Sequence, residues 1–141
     1  MNRRNFVGWL SAGTAAAVIA PKIATAAGDC RAMAGGVFHT KENPGRWAKK
    51  IGGHLPQLEI ARHAGGVRLK VLTAHEMRGF EHYIVKHVVL NRDYRFLAEK
   101  MFQPQKDEVP LSEFELGNYQ GRVHVLSVCN KHDTWLNQID I

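Results

Sequence analysis

The strictest constraint on the fold is the alternation that begins at position 67. Val67, Leu69 and Val71 alternate with Arg68 and Lys70, the period of two that marks a strand with one wet face. Gly65-Gly66 just ahead of it is a hairpin signal. Tyr83 to Leu90 is apolar at both parities apart from Lys86 and His87, as a buried central strand would be, and Asn91-Arg92-Asp93 then supplies a turn. Further strands are predicted at Arg95 to Phe102, Leu111 to Leu116, Arg122 to Val128 and Trp135 to Ile141, with Pro104, Pro110 and Gly117-Asn118 as breakers. Short strands at regular spacing, with no convincing amphipathic helix between them, predict an antiparallel β-sandwich.

The chain has 141 residues, and its first stretch reads as an address. Arg3-Arg4 stands ahead of a largely apolar run from Val7 to Ala20, and Ala24-Thr25-Ala26 gives a small-x-small cleavage pattern. Residues 1–27 are therefore expected to be a Tat-type signal peptide, and the protein periplasmic. The apolar run is short and weakly hydrophobic for a spanning helix. Cys30 follows Gly28-Asp29, a poor lipoprotein box, so no stable membrane anchor is expected. Likeness to Tat substrates implies export after folding, often with the cofactor installed in the cytoplasm. Loading there, where copper is scarce, keeps that strongly binding metal out of any site meant for another.

About 115 residues remain for one core. Hydrophobic residues make up 45% of the chain and charged ones 23%, ordinary values for a soluble folded protein. The formal charge of +6 falls to +3 once Arg3, Arg4 and Lys22 leave with the leader. The remaining Lys and Arg are scattered, without the clustering or aromatic interleaving of a nucleic-acid binder, so no nucleic-acid partner is expected. A mild positive field suits a small anion instead. Residues 28–53, with the Asn43-Pro44-Gly45 turn, read as a loop-rich N-terminal segment. Two cysteines are too few for a disulfide scaffold, although a Cys30–Cys129 bridge is the alternative in an oxidising compartment. Eight histidines in so short a chain are a reason to look for a metal.

The strongest local motif is Cys129-Asn130-Lys131-His132, at the end of a predicted strand. Thiolate and imidazole at this spacing can clasp a transition metal, but zinc sites and chance occurrences share it. Partners are offered by His54 in Gly53-His54-Leu55-Pro56, and by His75 and His82, which bracket Glu76-Met77-Arg78-Gly79-Phe80-Glu81. In this order the set resembles the superoxide reductase domain of the desulfoferrodoxin and neelaredoxin family. There a His-x-Pro segment, a His-rich loop ending in Glu-His-aromatic-Ile, and a terminal Cys-Asn-x-His follow one another. The resemblance covers residues 54–141, expected to form the iron-binding sandwich, immunoglobulin-like and of about seven strands.

The resemblance implies a mononuclear non-haem iron with His54, His75, His82 and His132 as planar imidazole ligands and Cys129 as axial thiolate. It implies one-electron reduction of superoxide to hydrogen peroxide, an external electron donor such as a rubredoxin-type protein, and a homo-oligomer. Neutral imidazoles would leave ferrous iron attractive to an anion, while the thiolate donates electron density from the opposite side. Asn130 and the backbone amides after it are expected to moderate that donation by hydrogen bonding.

Two departures bear on the site. The family often has Glu-Lys directly before the first histidine, the lysine drawing in superoxide, whereas this chain has Gly52-Gly53. Lys49, Lys50 and Lys131 are the candidate replacements, Lys50 first as the catalytic cation. The loop between His75 and His82 is one residue longer than the common pattern, and Glu76 stands where proline is usual; Gly79 can absorb the extra residue. If it does not, three histidines remain. His87 is expected on the opposite face from His82. His39, His63 and His124 are expected at the surface or at an edge. Met77, Phe80, Tyr83 and Trp135 are expected to pack beside the site or in the core. Glu81 is expected to be solvated or hydrogen-bonding.

Other functions fit less well. A cupredoxin would need a methionine after the C-terminal Cys and His, and none follows Cys129. A periplasmic binding or sulfur-carrier module would use Cys129 as a reactive thiol, and metal content separates it from the enzyme.

Overall fold

The structure, a computed structural model, describes residues 30–141; the predicted leader lies outside the described residues. Seven strands form: β1 Gln57–His63, β2 Gly66–Leu72, β3 Ile84–Leu90, β4 Phe96–Met101, β5 Leu111–Glu115, β6 Arg122–Cys129 and β7 Thr134–Asp140. One sheet has the order β1-β2-β5 and the other β4-β3-β6-β7, with every pairing antiparallel. This is the immunoglobulin-like sandwich read from the sequence. Among the described residues no helix is long and apolar enough to cross a membrane.

The alternation at β2 does what its period predicts. Val67, Leu69 and Val71 are buried while Arg68 is exposed, and Leu69 and Val71 meet Val89, Phe114, Val123 and Val125 in the core between the sheets. β1 is the strand that the sequence reading does not mark. Leu58 and Ile60 alternate inward there with Gln57 and Glu59, and both pack against the core. Its turn into β2 is fixed by Gly66, at φ 120°, where a Cβ would stand 2.2 Å from the carbonyl oxygen of Gly117. Only glycine permits so close an approach of two backbones.

β3 carries an irregularity between Ile84 and Lys86, where its pairing with β6 skips Val85. That extra residue resets the parity of the strand. Ile84, opposite Cys129, and His87, opposite Ser127, are consequently both fully buried. Ile84, Phe102 and Cys129 form a second apolar cluster at one end of the sandwich, with Met77 against it.

The N-terminal segment reaches this end at His54. Its elements are α1 (Cys30–Met33), a 3-10 turn over Gly45–Lys50, and α2 (Ile51–His54). His39 extends β7 in parallel: its amide donates to the Thr134 carbonyl at 2.9 Å and its carbonyl accepts from Leu136 at 2.8 Å. His39 is 1% exposed and His124 4% exposed, so neither lies at the surface; His39 runs along β7, the edge strand of its sheet, whereas His124 sits in β6 inside it, which corrects the surface-or-edge expectation for His124. His39 is covered by Trp135, with ring centroids 5.4 Å apart, and His124 by the Tyr94 ring stacked on it at 4.2 Å. His63, by contrast, is exposed and bonded to Glu115.

Candidate metal centre

Four separate stretches deliver side chains to the end of the sandwich beside Cys129. His54 is the last residue of α2, which stops because Leu55 is extended ahead of Pro56. His75 follows β2 by three residues, its amide bonded to the Thr73 carbonyl at 2.7 Å. His82 closes a tight loop in which the Arg78 amide donates to the His82 carbonyl at 2.9 Å. Gly79 turns that loop at φ 51°, a left-handed conformation that glycine adopts freely. The longer loop therefore leaves His75 within the cluster. Cys129 ends β6, and His132 sits in the turn to β7, closed by the Cys129 amide on the Asp133 carbonyl at 3.0 Å.

One ligand atom from each of His54, His75, His82, Cys129 and His132 lies within 4.8 Å of all the others. Neighbouring imidazole centroids, in the order 54, 75, 82, 132 and back to 54, are 4.6, 4.4, 4.7 and 4.7 Å apart. The diagonal from His54 to His82 is 6.0 Å. Four near-equal sides and a longer diagonal describe a square. Nitrogens face one another along three of its sides: His54 Nε2 to His132 Nδ1 at 3.0 Å, His132 Nδ1 to His82 Nε2 at 2.9 Å, and His82 Nε2 to His75 Nε2 at 3.1 Å. Cys129 Sγ stands 3.4, 3.7 and 3.9 Å from the nitrogens of His82, His132 and His75.

The donor set fits a transition metal on two counts. Three successive nitrogen separations of about 3 Å are those of adjacent corners lying about 2.1 Å from a common centre, the bonding distance of an imidazole nitrogen to a first-row metal. The protonation pattern agrees. His54 Nδ1 is bonded to the Lys50 carbonyl at 3.0 Å, and His75 Nδ1 to the Glu76 carbonyl. A carbonyl only accepts, so both rings carry their proton on Nδ1 and turn the Nε2 lone pair inward, the outer-partner arrangement of metal-ligating histidines. Burial lowers the pKa of all four. That of His54 falls to about 4, first through burial and then through His75, and those of His75, His82 and His132 fall below 6.5 with burial as the main cause. Imidazoles neutral at pH 7 are the form that binds a metal.

The surroundings of Cys129 differ in part from expectation. The Lys131 amide donates to its Sγ at 3.5 Å. The Asn130 side chain meets the sulfur only through its Oδ1, which accepts from Sγ at 4.0 Å, and chiefly latches the His82 loop, accepting from the Tyr83 amide at 3.0 Å and donating to the Phe80 and Glu81 carbonyls at 3.3 and 3.1 Å. Cys129 is a buried free thiol. Trp135 is buried against the site and donates from Nε1 to the His132 carbonyl at 2.9 Å. Phe80 does not pack there; it is 65% exposed, held outward on the loop tip.

Lys49 and Lys50 line an open cleft beside His54, His75 and His82. Lys131 pairs with Glu81 at 3.7 Å. His87 stays out of the cluster. Its ring bonds Thr73 Oγ1 at 2.9 Å and Ser112 Oγ at 2.8 Å between the sheets.

No protein-family profile matches the sequence, and no curated protein does. Solved structures do. A superoxide reductase (neelaredoxin) from Ignicoccus hospitalis superimposes with a TM-score of 0.62 at 22% identity, over 74% of this chain and 94% of that one. The superoxide reductase from Nanoarchaeum equitans gives 0.53 at 15% identity, over 63% and 93%. The one-iron superoxide reductase from Giardia intestinalis gives 0.52 at 16%, over 63% and 98%. The fold is that of the superoxide reductases.

On this superoxide reductase fold, sequence reasoning missed the residues behind the His132 turn. Asp133 Oδ2 accepts from Arg46 at 2.6 Å, from Trp47 Nε1 at 2.8 Å and from His39 Nε2 at 3.2 Å. These donors pull its pKa down to about 2. The Trp47 ring stands edge-on to His132 at 4.6 Å. Separations of 86 to 94 residues carry no sequence signal; Asp133 directly after the motif was the only hint.

Proposed function

We propose that this protein is a superoxide reductase, reducing superoxide to hydrogen peroxide at a mononuclear non-haem iron held by His54, His75, His82, His132 and Cys129. The observation that carries this reading is the square of four neutral imidazoles with one thiol sulfur packed against it. Four neutral nitrogens and one sulfur suit a borderline transition metal rather than a hard, oxygen-seeking cation. The bound iron supplies the one-electron reduction, in which superoxide takes one electron and two protons to give hydrogen peroxide.

The chain's own residues do the rest. His54 and His75 are locked in one tautomer by carbonyls, and the Lys131 amide at 3.5 Å tempers the charge on Cys129 Sγ. Lys50 is the proposed catalytic cation, drawing the anion into the cleft. It is exposed there, its own carbonyl is bonded to His54, and no carboxylate pairs with it among the described residues. Lys131 is the weaker candidate because Glu81 offsets its charge. The proposal extends to export of the folded protein by the Tat pathway to the periplasm. It also includes electron supply by another protein, such as a rubredoxin-type carrier, and a homo-oligomer. The alternative of Cys129 as a carrier thiol is not favoured, because the sulfur is buried among imidazoles and 5% exposed.

Metal analysis with a visible spectrum of the oxidised, folded protein tests the reading. Stoichiometric iron is expected, with a thiolate-to-iron band that vanishes in Cys129→Ser, followed by superoxide turnover in the wild type. Failure to take up iron on anaerobic reconstitution, or a band indifferent to the mutation, would overturn it.

A further inference from the structure

We propose that Asp133 is a positioning residue of this metal centre, a cross-brace that fixes the two ligand-bearing segments against each other. The inference rests on the reading of the five-residue cluster as a metal site. The Cys129 to Asp133 turn carries two of the five side chains, and its backbone is closed by the Cys129 amide on the Asp133 carbonyl at 3.0 Å. The segment from Gly45 to His54 carries a third, together with Lys50. No strand pairing joins these segments directly. A single carboxylate oxygen does, through Arg46 at 2.6 Å and Trp47 Nε1 at 2.8 Å, and the same oxygen is bonded to His39 Nε2 at 3.2 Å, ahead of that segment.

Three further observations support the brace. The indole that Asp133 holds is the ring set edge-on to His132, at 4.6 Å and 84°. The turn containing Arg46 and Trp47 runs on to Lys50, whose carbonyl fixes His54 Nδ1 at 3.0 Å. Asp133 itself sits at φ 61°, a left-handed conformation that non-glycine residues seldom adopt but that Asp tolerates better than most. An acidic residue is held there where glycine would be unstrained, and the carboxylate with its three donors is what that choice supplies. Ligand residues keep their geometry only when surrounding contacts hold them, and loss of such outer contacts weakens metal binding.

The left-handed backbone gives a clean test. Asp133→Gly removes the carboxylate while relaxing the backbone, and Asp133→Asn keeps a left-handed-tolerant residue with an oxygen that can accept from Trp47. Cobalt(II) affinity is measured by chelator competition on the full folded chain, with far-UV circular dichroism confirming the sandwich in each variant. Asp133→Gly is expected to bind cobalt roughly 10- to 100-fold more weakly, with an altered cobalt ligand-field spectrum, and Asp133→Asn to recover most of the affinity. An Asp133→Gly affinity and spectrum equal to the wild type's would overturn the brace while leaving the metal site standing. A wild type that takes up no cobalt would overturn both readings. If Asp133→Gly fails to fold, Trp47→Phe, which keeps an aromatic ring and deletes the N–H, decides: unchanged affinity overturns the proposal and weakened affinity supports it.

Discussion

Acid should destabilise the metal-free protein chiefly through histidines that fold buried and neutral, and His87 isolates the effect because it lies outside the metal cluster. It is fully buried, bonded to Thr73 and Ser112, with the Phe102 ring edge-on at 4.9 Å. Burial, with a smaller contribution from Lys100, lowers its pKa from 6.5 to about 3. The folded pKa is the lower one, so the unfolded chain binds the extra proton between about pH 6.5 and 3. The stabilisation is complete above 6.5 and is lost as pH falls through that window. Each pH unit well inside the window costs about 1.4 kcal/mol, so going from about pH 7.5 to about pH 4.5 removes about 2.7 kcal/mol through this residue alone. That is a large share of the roughly 5–15 kcal/mol that stabilises a domain. Urea unfolding of metal-free wild type and His87→Gln at the two pH values checks it, because the other titrating groups cancel in the double difference. The variant is expected to lose about 2.7 kcal/mol less than the wild type. Equal losses in the two proteins, or a His87 ring that titrates near pH 6 by NMR, would refute the reasoning.

Three more outcomes follow from the geometry. Lys50→Ala should slow superoxide turnover roughly tenfold at low ionic strength and flatten its salt dependence, whereas Lys131→Ala, already offset by Glu81, should change it less; stopped-flow kinetics at two salt concentrations separates them. Gly66→Ala forces a Cβ to 2.2 Å from the Gly117 carbonyl oxygen and should cost at least about 2 kcal/mol, read as a lowered urea midpoint. Asn130→Ala removes three hydrogen bonds to the loop that ends at His82, and hydrogen exchange should accelerate at the Arg78, Glu81 and Tyr83 amides.

Much of the fold was legible because strand periodicity is local. The β2 alternation, the apolar β3 and the proline and glycine breakers place six strands to within a residue or two. β1 escaped because its outward positions run on into exposed Ala61, Arg62 and His63, so the apolar signal is confined to Leu58 and Ile60. The burial of His39 and His124 escaped for a different reason. Their burial comes from Trp135 and Tyr94, side chains that are 96 and 30 positions away and reach them only through β-sheet pairing and a stacked turn.

The sequence by itself determined the sandwich, because strand period is a property of short stretches, and its ordered His and Cys motifs pointed to the five clustered side chains only through their resemblance to a known family. The tertiary structure decided which nitrogens face inward, since the Lys50 and Glu76 carbonyls set the tautomers of His54 and His75. It also separated the lysines, by pairing Lys131 with Glu81 while leaving Lys50 open on the cleft. The Asp133 brace belongs wholly to the tertiary level. A carboxylate gathers donors from residues 39, 46 and 47 only after the sheets have packed, because hydrogen bonds act over about 3 Å and leave no period in the chain.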